Sequence, residues 1–281
     1  MNTIATRSES PDFEAIKIRQ QGAWGSGDYG RVGVTLQITG EQLCESMDMR
    51  SGQSVLDVAA GNGNATLAAA RRFCKVTSTD YVQALLDQSR LRADGENLCV
   101  DYQSADAEKL PFAEQAFDHV VSTFGVMFAP DQARSAAEMI RVCKPGGKIG
   151  LANWTPPGFI GQLFKTIGRY VAPPAGVSSP ALWGTESFLD EHFGDASSNI
   201  QVIPRKFNFR YHSPEHFMDV FRTYYGPVLK AFDSLDKTKR VSLHNEFLAL
   251  IDSLNIANDG GMVVPSEYLE IVITRRQSGM A

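Results

Sequence analysis

The chain has 281 residues, with 27 Lys plus Arg against 32 Asp plus Glu and a formal charge of −5; at roughly 100 to 200 residues per domain this suits one large domain or one with a grown-on cap. Apolar types at 43% and charged types at 21% exclude disordered, collagen-like and coiled-coil chains, and the lack of a basic excess argues against nucleic acid as the main partner. No stretch approaches the roughly 18 apolar residues of a membrane span and residues 1–12 lack the apolar run of a secretory signal, so a cytoplasmic chain is expected.

Ser10-Pro11-Asp12 predicts a helix start, with a short polar helix running to Gln21. The segment Gly22-Ala23-Trp24-Gly25-Ser26-Gly27-Asp28-Tyr29-Gly30 mixes glycines with aromatics and reads either as a surface loop or as a mobile flap over a ligand. A helical stretch to about Met49 follows, ended by Ser51-Gly52. From Ser54 short apolar runs alternate with helical patterns: strands at 55–58, 76–79, 98–102 and 119–122, helices at 65–72, 82–93 and 131–142. Pro145-Gly146-Gly147 turns the chain into a strand at 148–153. Strands separated by such helices imply parallel pairing through right-handed crossovers, hence an α/β, doubly wound, Rossmann-like sheet with helices on both faces. Residues 155–198, rich in Pro and Gly, suit a connecting cap. A long strand is expected at 200–211, helix stripes at Phe217/Val220/Phe221/Tyr224 and Phe247/Leu250/Ile251/Leu254, and a closing strand at 268–274. The organisation expected is an N-terminal flap with helices (1–52), a nucleotide-binding core (53–153), and a cap with C-terminal strands and helices completing the sheet (154–281). Cys44, Cys74, Cys99 and Cys143 lie 25 to 44 residues apart and form no metal-ligand or redox spacing, so no metal is expected.

The chemistry concentrates in three places. Val55 to Asn64 is a buried strand running into a glycine loop and a helix; Gly61 and Gly63 remove side chains where a ligand approaches the backbone, beside unpaired helix N–H groups. The dinucleotide fingerprint GxGxxG fails here, because Thr66 stands where its third glycine belongs. Asp80, at the end of the next strand, is placed to accept both hydroxyls of a ribose, with a simple N-cap as the plain structural reading. Asp106, just after the third strand, can accept from an exocyclic amine while the Ala107 N–H serves a ring nitrogen, a pairing suited to adenine.

Together, the glycine loop, the acid after the second strand, Asp106-Ala107-Glu108-Lys109-Leu110-Pro111-Phe112, Phe117-Asp118 and Lys144-Pro145-Gly146-Gly147 resemble the class I S-adenosylmethionine-dependent methyltransferases. Within them the chain is similar to the type 11 branch that includes ubiquinone and menaquinone biosynthesis methyltransferases. The resemblance spans about residues 53–153 and implies a seven-stranded sheet whose last strand is antiparallel. Ala59 replaces the first glycine of the usual pattern.

The resemblance implies S-adenosylmethionine as cofactor and assigns roles residue by residue. Asp57 orients the methionine end, with Ala59, Gly61 and Gly63 in backbone contact. Asp80 holds the ribose, Tyr81 packs on the adenine, and Asp106 with Ala107 reads its edge. Ser122 and Thr123 face the methionine part and the transferring methyl, and Tyr29 closes over the cofactor, with Trp24 as a weaker candidate. The run Ser122 to Phe128 is apolar and aromatic, which suits a small hydrophobic acceptor. Phe128, Trp154, Arg222 and Tyr225 are the substrate-binding candidates, among a wider set with Phe159, Phe164, Trp183 and Tyr224. His212 and His216 are the candidate bases; His119 reads as structural. A cofactor-binding scaffold without methyl transfer is the alternative, and a nicotinamide-dependent oxidoreductase the third reading.

Overall fold

The computed structural model describes residues 11–277. Its centre is a seven-stranded sheet in the order β3-β2-β1-β4-β5-β7-β6: β1 Ser54–Val58, β2 Lys75–Asp80, β3 Val100–Ser104, β4 Phe117–Thr123, β5 Cys143–Trp154, β6 Ser197–Tyr211 and β7 Met262–Arg275. Strands β1 to β5 pair in parallel, and β7 runs antiparallel between β5 and β6, as the sequence predicts. Alternation along the strands makes two apolar layers. Val55, Val76, Val121 and Val272 pack with the helices α3 (Gln37–Ser46) and α4 (Asn64–Arg71) on one face. Leu56, Val58, Val120, Leu151 and Ile271 face the other, under α6 (Gln132–Val142) and the cap. Helix α5 (Gln83–Gly95) completes the parallel half.

Helix α1 spans Phe13–Trp24, three residues beyond the expected end, because Gly22 and Ala23 continue the helix and Gly25 closes it through its N–H to the Gln21 carbonyl (2.9 Å). Asp12 caps it by accepting from the Ala15 N–H (3.0 Å); Ser10 lies outside the described residues. The expected flap is therefore a short turn between α1 and α2 (Tyr29–Gly33). The Pro/Gly-rich stretch holds α7 (Phe159–Tyr170) and α8 (Glu186–Phe193), followed after β6 by α9 (Pro214–Tyr224), α10 (Gly226–Ser234) and α11 (Lys237–Leu254). Strand β5 starts five residues earlier than expected: Cys143 pairs with Phe117, and the register shifts before Lys148 resumes opposite His119, where Gly146 at φ +76° forms the irregularity. Among the described residues the long edge strand β6 pairs along its whole length with β7 alone. Among the described residues no helix is long and apolar enough to cross a membrane, and no cluster of metal-ligating side chains occurs.

Candidate active site

Strand order reverses between β1 and β4, and ligands of open α/β sheets bind in the crevice beyond the carboxyl ends of such strands. The main cavity of the described residues lies there and encloses about 1090 Å³, counting its open mouth. Two residues at its floor carry unusual backbones: Ala59, after β1, has φ +52° and Phe124, after β4, has φ +60°. Left-handed conformations in non-glycine residues cost roughly 1–2 kcal/mol each and gather at ligand sites. Phe124 is held by its N–H to the Ala152 carbonyl (2.8 Å) and by stacking on Trp154 (4.1 Å, 11° between planes).

The loop after β1 is fixed from β2. The Ala60 N–H reaches the Thr79 carbonyl (2.9 Å), and the Gly61 N–H donates to Asp80 Oδ2 (2.9 Å) while Val82 N–H donates to Asp80 Oδ1 (2.8 Å). Burial pushes the Asp80 carboxyl up to about 6, against the lowering effect of those N–H groups. Asp80 thus has the N-cap role and also lines the cavity. Tyr81, Asp106, Ala107, Ala59, Gly61, Thr123 and Tyr29 line it as well, so seven further candidates converge there.

Three do not. Asp57 lies beneath the loop, fully buried; it accepts from the Thr66 hydroxyl (2.6 Å), leaves Oδ1 without a partner among the described residues, and has its carboxyl pushed up to about 7 by burial. Gly63 (φ +88°) faces α5, where an added Cβ would stand 2.0 Å from Ser89 Oγ, so its smallness serves helix packing. Ser122 is buried and accepts from the Val126 N–H (3.0 Å), which shapes the turn under the cavity.

The other end of the cavity is aromatic. Phe128, Trp154 and Tyr225 line it, joined by Trp24, Phe124, Phe209 and Phe221. Trp24 sits edge-on to Tyr29 (5.6 Å), Phe128 (4.8 Å) and Tyr225 (5.4 Å). Burial, with the Asp80 charge added, raises the Tyr29 hydroxyl to about 12, and burial, with Tyr29 beside it, raises Tyr225 well above the ordinary tyrosine range. Both remain protonated near neutrality, with a hydroxyl hydrogen available to a ligand acceptor.

Arg222 and the two histidines lie off this lining. On α9, Phe217, Phe221 and Tyr225 follow one another on the inward face, and Arg222, one residue on from Phe221, is rotated away; it is exposed, lies over the Phe232 ring at 4.5 Å and borders a separate polar depression. His212 and His216 stack on each other (4.7 Å) at the start of α9, about 13 Å of helix rise from Tyr225, and neither lines the cavity. Phe159, Phe164, Trp183 and Tyr224 also lie off its lining. His119 is in β4, bonded to Gln53 Oε1 (3.0 Å), and burial lowers it to about 4.

Sequence reading missed Lys17 and Gln20, which line the cavity from α1. Lys17 Nζ bridges Glu14 (2.6 Å), Asp106 (2.7 Å) and Glu108 (3.1 Å). Partial burial pulls its pKa down, but those carboxylates hold it above the ordinary lysine range. The signal was the spacing Lys17, Gln20, Gln21, Trp24, one helix face at i, i+3, i+4 and i+7.

Residues 56–151 match the family model described as "Methyltransferase domain". An uncharacterized protein of Mycobacterium tuberculosis is 38% identical over 236 residues, 83% of this chain and 85% of its own. A demethylmenaquinone methyltransferase of Deinococcus radiodurans is 32% identical over 145 residues, 50% of this chain and 60% of its own. Among solved structures, the YcgJ protein of a Bacillus shares the fold at TM-score 0.57 and 17% identity, covering 85% of this chain and 99% of its own.

Proposed function

Since the chain belongs to the class I S-adenosylmethionine-dependent methyltransferases, we propose that it methylates O, C or N of a small, fairly hydrophobic metabolite. The residues present fit the family's cofactor. A Cβ on Gly61 would stand 3.3 Å from the Tyr29 ring and fill the gap between loop and ring. The only cation lining the cavity among the described residues, Lys17, is neutralised by three carboxylates, which leaves no charge for the diphosphate of a nicotinamide nucleotide.

When bound, S-adenosylmethionine supplies an already activated methyl group. In this reading Asp80 accepts the ribose hydroxyls, Asp106 and Ala107 take the adenine edge, and Ala59, Gly61 and Thr123 line the path toward the aromatic end. The walls Trp24, Phe124, Phe128, Trp154 and Tyr225 exclude water and align the acceptor, the main sources of rate for such a transfer. Among the described residues carboxylates line the cavity only at its adenosine end, and no histidine lines it; the acceptor's nucleophile accordingly enters already unprotonated.

The observation that carries the proposal is this division of one cavity into an acidic end and an aromatic end. The relative named as a demethylmenaquinone methyltransferase supports the methyl-transfer part of this reading. The test is thermal unfolding with S-adenosylmethionine, S-adenosylhomocysteine, NAD and NADP in parallel, followed by methyl-labelled donor with apolar acceptor panels. Protection by the two sulfur nucleotides alone, then label transfer, is expected. Protection without transfer to any acceptor would favour a binding scaffold, and protection by NAD or NADP alone would overturn the reading.

A further inference from the structure

Helix α1 is not held down by an apolar stripe: Ile16 is its one buried residue. Polar contacts and one ring hold it instead. Lys17 reaches Asp106 and Glu108, the Gln21 side-chain amide donates to the Tyr81 carbonyl (2.5 Å), and Trp24 enters the ring cluster of Tyr29, Phe128 and Tyr225. The segments it grips, after β2 and after β3, are those that line the adenosine end of the cavity.

We propose that Lys17 is a positioning residue of the cofactor site, which latches α1 across the adenine end as a strap and thereby slows cofactor release; this rests on the methyltransferase reading above. Three observations support it. The Lys17 side chain is 12% exposed and Asp106 32%, so the ammonium is enclosed while the carboxylate keeps an open side for a ligand amine. Asp106 is held from its other oxygen by the Glu108 N–H (2.9 Å), so the carboxylate keeps its place while it serves both partners; an oxygen with two lone pairs accepts twice. Gln20 Oε1, on the same face of α1 and lining the cavity, is buried with no partner among the described residues, an acceptor left for a donor beneath the strap. A cofactor under α1 leaves only when the ion pairs open, and truncating one partner of an enclosed charge pair acts mainly on dissociation.

The test is the dissociation rate of S-adenosylhomocysteine from the full chain, with amide hydrogen exchange over residues 13–24. In Lys17→Met dissociation should rise about 10-fold, and the slowing of exchange that the ligand confers on residues 13–24 should be lost. Lys17→Arg should restore most of both. Gln21→Ala, which breaks a different contact of the same strap, should speed release about 3-fold. The double variant Lys17→Met/Asp106→Ala should release no faster than Asp106→Ala alone. Release from Lys17→Met at or below the parent's rate would overturn the latch, the second of these outcomes marking Lys17 as a competitor of adenine. A parent chain that binds no S-adenosylhomocysteine would sink the underlying function as well.

Discussion

Asp80 carries two tasks at one side chain. Its oxygens tie the β1 loop and the start of α5 through the Gly61 and Val82 N–H groups, and they line the cavity. Hydrogen bonds to an ionised group are worth about 1.5–3 kcal/mol each, so Asp80→Asn should weaken S-adenosylhomocysteine binding roughly 30- to 100-fold by titration calorimetry. Because burial holds Asp80 at about 6, the parent's affinity should fall as pH is lowered from 7.5 to 5, and the Asn variant's profile should be flat over that interval. A variant that kept the parent's profile would assign the titration to another group. The place of Asp80 at the cavity was legible in the sequence because a strand end followed by an acid fixes a position, whereas nothing local shows that Gly63 and Ser122 lie off its lining, because the same loop spacing serves a ligand or a neighbouring helix. Which of the two holds depends on Ser89 and Val126, partners that no local pattern names.

At the scale of elements, the parallel half was legible and the cap was not. Strands β1 to β5 alternate with helices whose periodicity is local, so their order follows from handedness. The helices of 155–198 are carried by residues whose burial is decided by distant partners, β7 and α11 for α7 and α6 for α8, and Pro and Gly at their ends masked them. The antiparallel pair β6 and β7 is pinned by Glu270, which is 1% exposed and accepts from Arg205 Nε (2.6 Å) and Nη2 (2.9 Å) and from Ser46 Oγ (2.5 Å). Removing one partner of a buried pair strands the other charge, so Arg205→Met should cost roughly 3 kcal/mol, with Arg205→Lys between it and the parent. Equilibrium urea unfolding reads the difference; a midpoint unchanged in Arg205→Met would mean that Ser46 and solvent suffice for Glu270. The histidine candidates lie off the cavity lining for a reason of the same scale: the helix that carries Phe221 toward the cavity leaves its first turn a dozen ångströms from Tyr225.

For the whole molecule, folding and binding respond to pH in opposite senses. Asp57 and Asp80 are held by burial at about 7 and about 6, so the folded chain binds more protons than the unfolded one between about pH 4 and 7 and loses stability as pH rises through that window. His119, lowered by burial to about 4, works the other way between about 4 and 6.5, with one group against two. The thermal midpoint of the cofactor-free protein should therefore be higher at pH 5 than at 7.5, and Asp57→Asn should flatten the difference. A midpoint that rose with pH would mean that the two carboxyls are solvated more than their burial implies.

The far edge of the sheet has a consequence of another kind. An edge strand of 15 residues is a template on which a second chain can add itself, the usual route to runaway self-assembly. Pro204 lacks an N–H at the middle of β6, and the exposed Lys206 and Arg210 follow on the same side of the strand. The strand is thus stoppered against its own copies, and a protein that must keep a greasy aromatic pocket open is spared a second adhesive surface.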